Sequence, residues 1–298
     1  SNSEPWELID HKSKVRVGRI VKNLIARTMG SGNFELIDCS STQVLEIATK
    51  SLFSFNYVCH FINKIEGKIS LGIAHGGRDA YSAGAVMAFR QHSIPVRLIE
   101  AGGIPERWSE FETSPHYSPD FWRRLEAAQD IHMNFEDIEE WWIRRLKGSD
   151  HFRSENWSQT RITGLLPEGI PEVFVSFFTT SDFEIPVFRD FDIFPGDFKN
   201  QIESLRILTK FVLKEGIHLV IRRHPNSLDL NGIDREEKMW DEFKSMEGVT
   251  YIGPKEKIDS ILLAQKSKIV FTFKSSVGIE AIWLGTPAFA LGPARWAY

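Results

Sequence analysis

A short β-branched and aromatic run, Ile269-Val270-Phe271-Thr272, passes through Lys274-Ser275-Ser276 into the apolar helical spacing of Val277 to Leu284, which Gly285 closes. A strand that feeds a helix through two serines brings hydroxyls and unpaired backbone N–H groups to a helix N-terminus. The helix dipole favours negative charge there, so a phosphate is the expected guest of Ser275 and Ser276. Glu280 lies four residues after Ser276 on the same helix face, which suits a carboxylate that accepts hydrogen bonds from sugar hydroxyls beside that phosphate. The plain alternative is an ordinary N-cap followed by a solvated glutamate.

A second element tips the balance toward a ligand. Leu219-Val220-Ile221 reads as another buried strand, and its C-terminal end delivers Arg222, Arg223, His224 and Pro225. A third, Val173 to Phe178, ends in the hydroxyls of Thr179, Thr180 and Ser181. In open parallel sheets, ligands bind in the crevice beyond the carboxyl ends of the strands. Cationic and hydroxyl groups are therefore expected on one side of one sheet. The rest of this half alternates in the same way: a helix over 198–214, a helix near 236–244, a strand over 249–252, a helix over 258–265 and a strand over 288–291.

The first half repeats the pattern less clearly. Residues 17–25 fit helix or strand, Phe34 to Asp38 a short strand, and 42–49 a helix. Ile69 to Ala74 is a better strand that runs into His75-Gly76-Gly77-Arg78-Asp79, then a small-residue helix over 80–91 and a strand over 96–100. Strand, Gly-rich turn, helix, strand is the unit of a parallel α/β sheet. The glycine pair lets backbone approach a ligand, and Arg78 has the fork to hold a carboxylate or phosphate. Residues 118–147 read as largely helical, with Trp122, Trp141 and Trp142 on core faces. The polar run from Gly148 to Pro171 reads as the passage between domains, with the boundary near Leu166 and a hinge near Gly164 to Gly169. The expected architecture is two Rossmann-like α/β domains, 1–166 and 167–298, facing one another across a cleft.

Composition bounds the function. At 298 residues the chain exceeds what one core usually serves. Thirty-six basic against forty acidic residues, a net charge of −4 and a pI near 6.2 give no electrostatic case for binding a nucleic acid, although a local basic pocket is implied. Cys39 and Cys59 are too few for a disulfide framework and lack metal-ligand spacing, which fits a reducing, cytoplasmic setting. No apolar run is long enough to span a bilayer. Docking on the inner face of a membrane stays open.

The motif set Arg223-His224-Pro225-Asn226, Ile252-Gly253-Pro254, Ile258 to Leu263, Ser275 to Ala281 and Gly285-Thr286-Pro287 resembles the C-terminal half of bacterial capsule-polysaccharide glycosyltransferases. These are two-domain GT-B enzymes that include transferases of Kdo and sialic acid. In the first half, Gly77-Arg78, Ile99-Glu100 and Ser114-Pro115-His116 resemble that family more loosely: Ile99 and Ala101 stand where it usually has an aromatic residue and an arginine. Such folds commonly continue beyond the position of Tyr298 into a helix that crosses back to the first domain.

The resemblance implies a nucleotide-sugar donor, often a CMP-sugar, and a glycan or glycolipid acceptor. It implies a nucleotide site of Thr179, Thr180, Arg222, Arg223, His224, Pro225, Ser275, Ser276 and Glu280, and acceptor contacts at Arg78 and His116. The candidates for the base are Glu100, Asp79 and His75, each at or just past the end of a first-domain strand. No Asp-x-Asp motif sits at a strand edge, so neither a metal nor another cofactor is expected. Two alternatives stand beside this reading. One is a sugar-nucleotide epimerase of the UDP-N-acetylglucosamine type, which carries a Ser-Gly-Gly triplet that this chain lacks. The other is a non-catalytic nucleotide-sugar-binding module.

Overall fold

A computed structural model of the chain describes residues 24–25, 42–65, 69–76, 79–101, 108–111, 118–128, 134–147, 161–181, 198, 200–228, 232–292, 294 and 296–297. The chain divides into two compact units. One comprises Ser1–Asp120 with Phe183–Phe191, the other Phe121–Asp182 with Asp192–Tyr298. The division falls well before the expected boundary near Leu166, because the second of the two helices in 118–147 packs with the C-terminal sheet's unit.

In the first unit, α1 (Thr42–Lys64) lies against α2 (Ala80–Gln91), and β1 (Gly72–His75), β2 (Val96–Ala101) and β3 (Trp108–Phe111) form a sheet in that order. β1 and β2 run parallel, as a βαβ unit requires, while β3 is antiparallel to β2. β3 was not expected: its four residues alternate between exposed and half-buried, a pattern too short and too wet to stand out. α1 is also much longer than the helix expected over 42–49. Beyond Ser51 the aromatics Phe53, Phe55, Tyr57 and Phe61 fall on several faces, and only Phe55 is buried, so no single stripe marks the helix. The strand expected over 34–38, and all of 17–25 except the helical Leu24 and Ile25, lie outside the described residues.

The α1–α2 seam is built on close approach. Ile25, Val44, Phe55, Ala83 and Ala88 make its core, and Ser54 Oγ donates to the Tyr81 carbonyl at 2.7 Å. Gly84 faces α1 so tightly that a Cβ there would lie 2.2 Å from the Ser51 carbonyl oxygen.

The second unit holds the more regular architecture. Five strands, β4 (Phe174–Phe178), β5 (His218–Arg222), β6 (Val249–Ile252), β7 (Val270–Thr272) and β8 (Ala288–Ala290), are all parallel in the order β6-β5-β4-β7-β8. That is the doubly wound order, with the switch point beside the central strand β4. Every residue of β4 is buried, as a parallel strand covered on both faces demands. α5 (Gln201–Lys214), α7 (Ser260–Lys266) and α8 (Val277–Trp283) close the crossovers near their expected positions. The helix expected over 236–244 instead divides into a 3₁₀ turn, Glu237–Trp240, and a single α turn, α6 (Asp241–Lys244). Phe174, Phe178, Val220, Val270, Leu263 and Ala281 join one core between the sheet and α7 and α8. The phenylalanine, valine and leucine side chains each contribute about 1.5–3 kcal/mol by leaving water. The α/β class expected from the sequence is what the structure has.

The run 118–147 forms α3 (Ser118–Ala127) and α4 (Phe135–Lys147). The segment expected to act as a hinge is tied down: Asp259, the N-cap of α7, accepts the Gly164 N–H at 3.0 Å, its own N–H donates to the Leu165 carbonyl at 2.7 Å, and its carboxylate lies 3.4 Å from Arg161 Nε. Residues 161–166 therefore belong to the second unit's packing.

The substitution Gly84→Ala should overpack the α1–α2 seam at a cost of about 1–3 kcal/mol. Amide exchange measured residue by residue should show lost protection in α1 and α2, with β4 to β8 unchanged.

Candidate functional site

The C-terminal ends of β4, β5 and β7 carry most of the candidate residues, and the structure sorts them into a scaffold and a smaller group in which His224 is half-buried, Ser276 exposed and Glu280 buried. Arg223 is wholly buried. It lies 3.2 Å from Asp234, donates to the Tyr251 hydroxyl at 3.3 Å, and stacks its guanidinium 4.2 Å over the Trp240 ring. Burial pushes the Tyr251 phenol up, against the opposing pull of Arg223, so it stays an O–H. Arg222 is also buried, donates to the Gly253 carbonyl, and is lowered to about 10 by desolvation, which leaves it a cation at neutral pH. Both arginines thus brace β6 and the turn after it. The sequence sets them against a phosphate; the contacts the structure gives them are these internal ones.

The threonines are scaffold too. Thr179 Oγ1 accepts the His224 N–H at 2.8 Å, and Thr180 exchanges both backbone bonds with the Gln201 side-chain amide, at 3.1 and 3.2 Å. Both are almost fully buried. The Thr179 hydroxyl thus satisfies neighbouring backbone, while Thr180 is held through its own backbone groups. Pro225 is buried as the first residue of a 3₁₀ turn.

His224 caps that turn. Its Nδ1 accepts the Asn226 N–H at 3.0 Å and lies 3.0 Å from Ser181 Oγ. An Nδ1 that receives a backbone N–H carries no proton itself, so the neutral ring holds its proton on Nε2 as a donor. Ser181, fully buried, fixes the ring from the β4 side.

The two serines differ. Ser275 is buried, its Oγ accepts the Val277 N–H at 3.3 Å, and its carbonyl accepts the Trp296 indole N–H at 2.9 Å. That indole lies flat on the turn: a Cβ at Gly278 would sit 1.9 Å from Trp296 Cζ2. Ser276 is the formal N-cap of α8, yet its hydroxyl caps nothing and is exposed. It accepts from Arg145 at 3.3 Å, and Arg145 also lies 2.8 Å from Glu280 Oε1. The carboxylate of Glu280 is only 4% exposed, so the solvated-glutamate alternative fails.

Arg145, Gln201 and Trp296 were not among the candidates. Arg145 lies 131 positions before Ser276, in a helix read as part of the other domain, so no local pattern pointed to it.

The base candidates belong to the first unit. His75 ends β1, is exposed, and meets the Trp108 ring edge-on at 6.1 Å. Glu100 lies half-buried on β2, with Oε1 2.9 Å from where a Cβ on Gly76 would stand. Asp79 is the N-cap of α2 in a capping box, accepting the Tyr81 and Ser82 N–H groups at 3.0 and 2.9 Å and the Ser82 hydroxyl. Burial alone would raise its carboxyl, but these bonds outweigh burial and hold it below the usual range. A carboxylate so engaged is a weaker proton acceptor than a free one, which sets Asp79 behind Glu100 and His75 as a base. Arg78 and His116 lie outside the described residues. Among the described residues, no group of three His, Cys, Asp or Glu side chains is placed to hold a metal ion, and no helix is long and apolar enough to cross a membrane.

No protein-family model matches the chain, and no curated protein matches it in sequence. Solved structures do. The beta Kdo 2,4 transferase of Thermosulfurimonas dismutans KpsC is similar at 15% identity over 86% of this chain and 79% of its own, with a TM-score of 0.48. The beta Kdo 2,7 transferase of the same KpsC is similar at 13% identity over 94% of this chain and 76% of its own, with a TM-score of 0.45. A UDP-GlcNAc 2-epimerase from Neisseria meningitidis, bound to UDP-GlcNAc, is similar at 16% identity over 93% of this chain and 80% of its own, with a TM-score of 0.35.

Proposed function

We propose that the chain is a glycosyltransferase that moves a sugar from a nucleotide donor, a CMP-sugar in the first instance, to a growing surface glycan. The observation that carries this reading is the position of His224, Ser276 and Glu280 in one compact unit, beyond the carboxyl ends of β5 and β7 and next to the switch point of a doubly wound parallel sheet. Open α/β sheets take their ligands there.

The chemistry of the three groups fits a nucleotide. His224 offers Nε2–H and Ser276 a hydroxyl, both donors suited to phosphate oxygens, while Glu280 offers acceptors suited to ribose hydroxyls. The reaction needs the departing phosphate's charge stabilised by donors fixed beforehand, and the ring of His224 is held at Nδ1 by Ser181 and Asn226 while Thr179 holds its backbone N–H. Activation of the acceptor hydroxyl falls to Glu100, then His75, with Arg78 and His116 as acceptor contacts. A glycolipid acceptor would bring the protein to the inner face of a membrane. The motif resemblance around Arg223-His224-Pro225-Asn226 and Ser275-Ser276 supports the transferase, and the missing Ser-Gly-Gly triplet tips the balance away from the epimerase.

A nucleotide screen comes first. In thermal-shift measurements with CMP, UDP, GDP and CDP, one nucleotide at a hundred times its dissociation constant should stabilise the protein by about 2.7 kcal/mol. Product analysis with the matching sugar nucleotide should then show free nucleotide and an elongated glycan. An isomerised sugar nucleotide would make the protein an epimerase, and binding without turnover a binding module.

The second test separates phosphate binding from helix capping. Because the Ser276 hydroxyl caps nothing, Ser276→Ala should leave the melting temperature almost unchanged. Nucleotide affinity should fall about tenfold to a hundredfold, as expected for one hydrogen bond to a charged group, with the nucleoside binding as before. Unchanged nucleotide affinity would remove Ser276 from the site.

A further inference from the structure

α4 and α8 meet in matched steps. The Trp142 ring, buried, stacks on Trp283 with centroids 5.1 Å apart and planes 12° apart. One turn onward along α4 is Arg145, and one turn back along α8 is Glu280, and these two close to 2.8 Å. The two pairs therefore lie side by side on one seam. The same terminal nitrogen of Arg145 donates to Ser276 Oγ at 3.3 Å, and its guanidinium lies 5.3 Å from the Trp141 ring centre. The Arg145 side chain is 19% exposed and that of Glu280 4%.

We infer that Arg145 is a positioning residue of the nucleotide site, one that sets the hydrogen-bonding polarity of Ser276 and Glu280. A hydroxyl has one proton and two acceptor sites. With Arg145 donating to Ser276 Oγ, the serine's own proton points away from the guanidinium as a donor, the polarity a phosphate oxygen requires. A carboxylate oxygen that accepts from a guanidinium keeps its remaining lone pairs directed as acceptors, the polarity ribose hydroxyls require. The N–H bonds of that terminal nitrogen of Arg145 lie in the guanidinium plane and so have fixed directions, where a lysine would supply charge without direction. The Trp142–Trp283 stack holds α4 in register, so the geometry is in place before any ligand arrives. This inference rests on the nucleotide reading proposed above and adds to it a residue from a helix far upstream in sequence.

The test uses the full chain as wild type, Arg145→Met, Arg145→Lys and Glu280→Gln, titrated with CMP and UMP, their 2′-deoxy forms, and cytidine and uridine. Wild type should prefer the ribonucleotide over the deoxynucleotide by about tenfold, the worth of one hydrogen bond to a charged acceptor. Arg145→Met should keep the fold, since the tryptophan stack remains, but lose that preference and about tenfold of ribonucleotide affinity. Arg145→Lys should recover part of the affinity. Glu280→Gln should erase the same preference, and combining it with Arg145→Met should add nothing, as coupled residues do. Retention of the ribose preference in Arg145→Met overturns the inference, as does an equal loss for ribonucleotide, deoxynucleotide and nucleoside, which would mark a packing role. If Arg145→Met does not fold, an undiminished preference in Arg145→Lys together with additive effects of the Lys and Gln changes overturns it. Wild type that binds none of these probes would instead remove the nucleotide reading itself, and this inference with it.

Discussion

A guanidinium with no solvent exposure organises the carboxyl edge of the second unit's sheet. Removing the charge of Arg223 from water costs several kcal/mol, and only the set of partners around it makes that tolerable: Asp234, the Tyr251 hydroxyl and the face of Trp240. Each partner then has a fixed place. Asp234 also accepts the Glu236 N–H, which shapes the turn leading to the 3₁₀ segment, and Tyr251 is a β6 residue, so the arginine joins that turn to the strand. Loss of one partner from such a group typically costs about 3–5 kcal/mol, several times the worth of a helix cap. The direction in which His224 leaves the sheet follows from this: the residue before it is pinned inward, and its own N–H is taken by Thr179.

The second unit thus works as a frame of buried, mutually bonded polar groups with a few unlike members. Thr179, Thr180, Gln201, Arg222 and Arg223 spend their hydrogen bonds on backbone and neighbouring side chains. The ring of His224, the hydroxyl of Ser276 and the carboxylate of Glu280 are held by that frame rather than belonging to it. Fixed donors and acceptors aimed at charge reorganise little when a ligand arrives, which is how a site gains affinity without new contacts.

Much of this was legible in the sequence. Parallel strands buried on both faces must be continuous apolar runs, and Phe174 to Phe178, Leu219 to Ile221 and Val270-Phe271 stand out for that reason, with hydroxyls and cations marking their ends. Legibility fails where meaning depends on distant partners. Arg222 and Arg223 read as phosphate ligands because charge at a strand end usually faces solvent or ligand, and only Trp240, Asp234 and Gly253 reveal otherwise. Asp79 reads as a base until the N–H groups of Tyr81 and Ser82 claim it. Arg145 carried no signal because its partners lie on another helix and the polar run after it reads as a domain linker. β3 and the second half of α1 were missed for the opposite reason: their exposed aromatics blur the periodicity from which an element is recognised.

The indole of Trp296 occupies the space that a side chain at position 278 would need, and its N–H closes the carbonyl of Ser275. Size at these two positions is therefore a shared quantity. Homologous chains that keep this turn should covary there, with bulk at 278 appearing only alongside a small residue at 296, and a lone change at either should be rare. The pair would act as an evolutionary signature of the turn, readable from sequences alone even where the serines beside it have drifted.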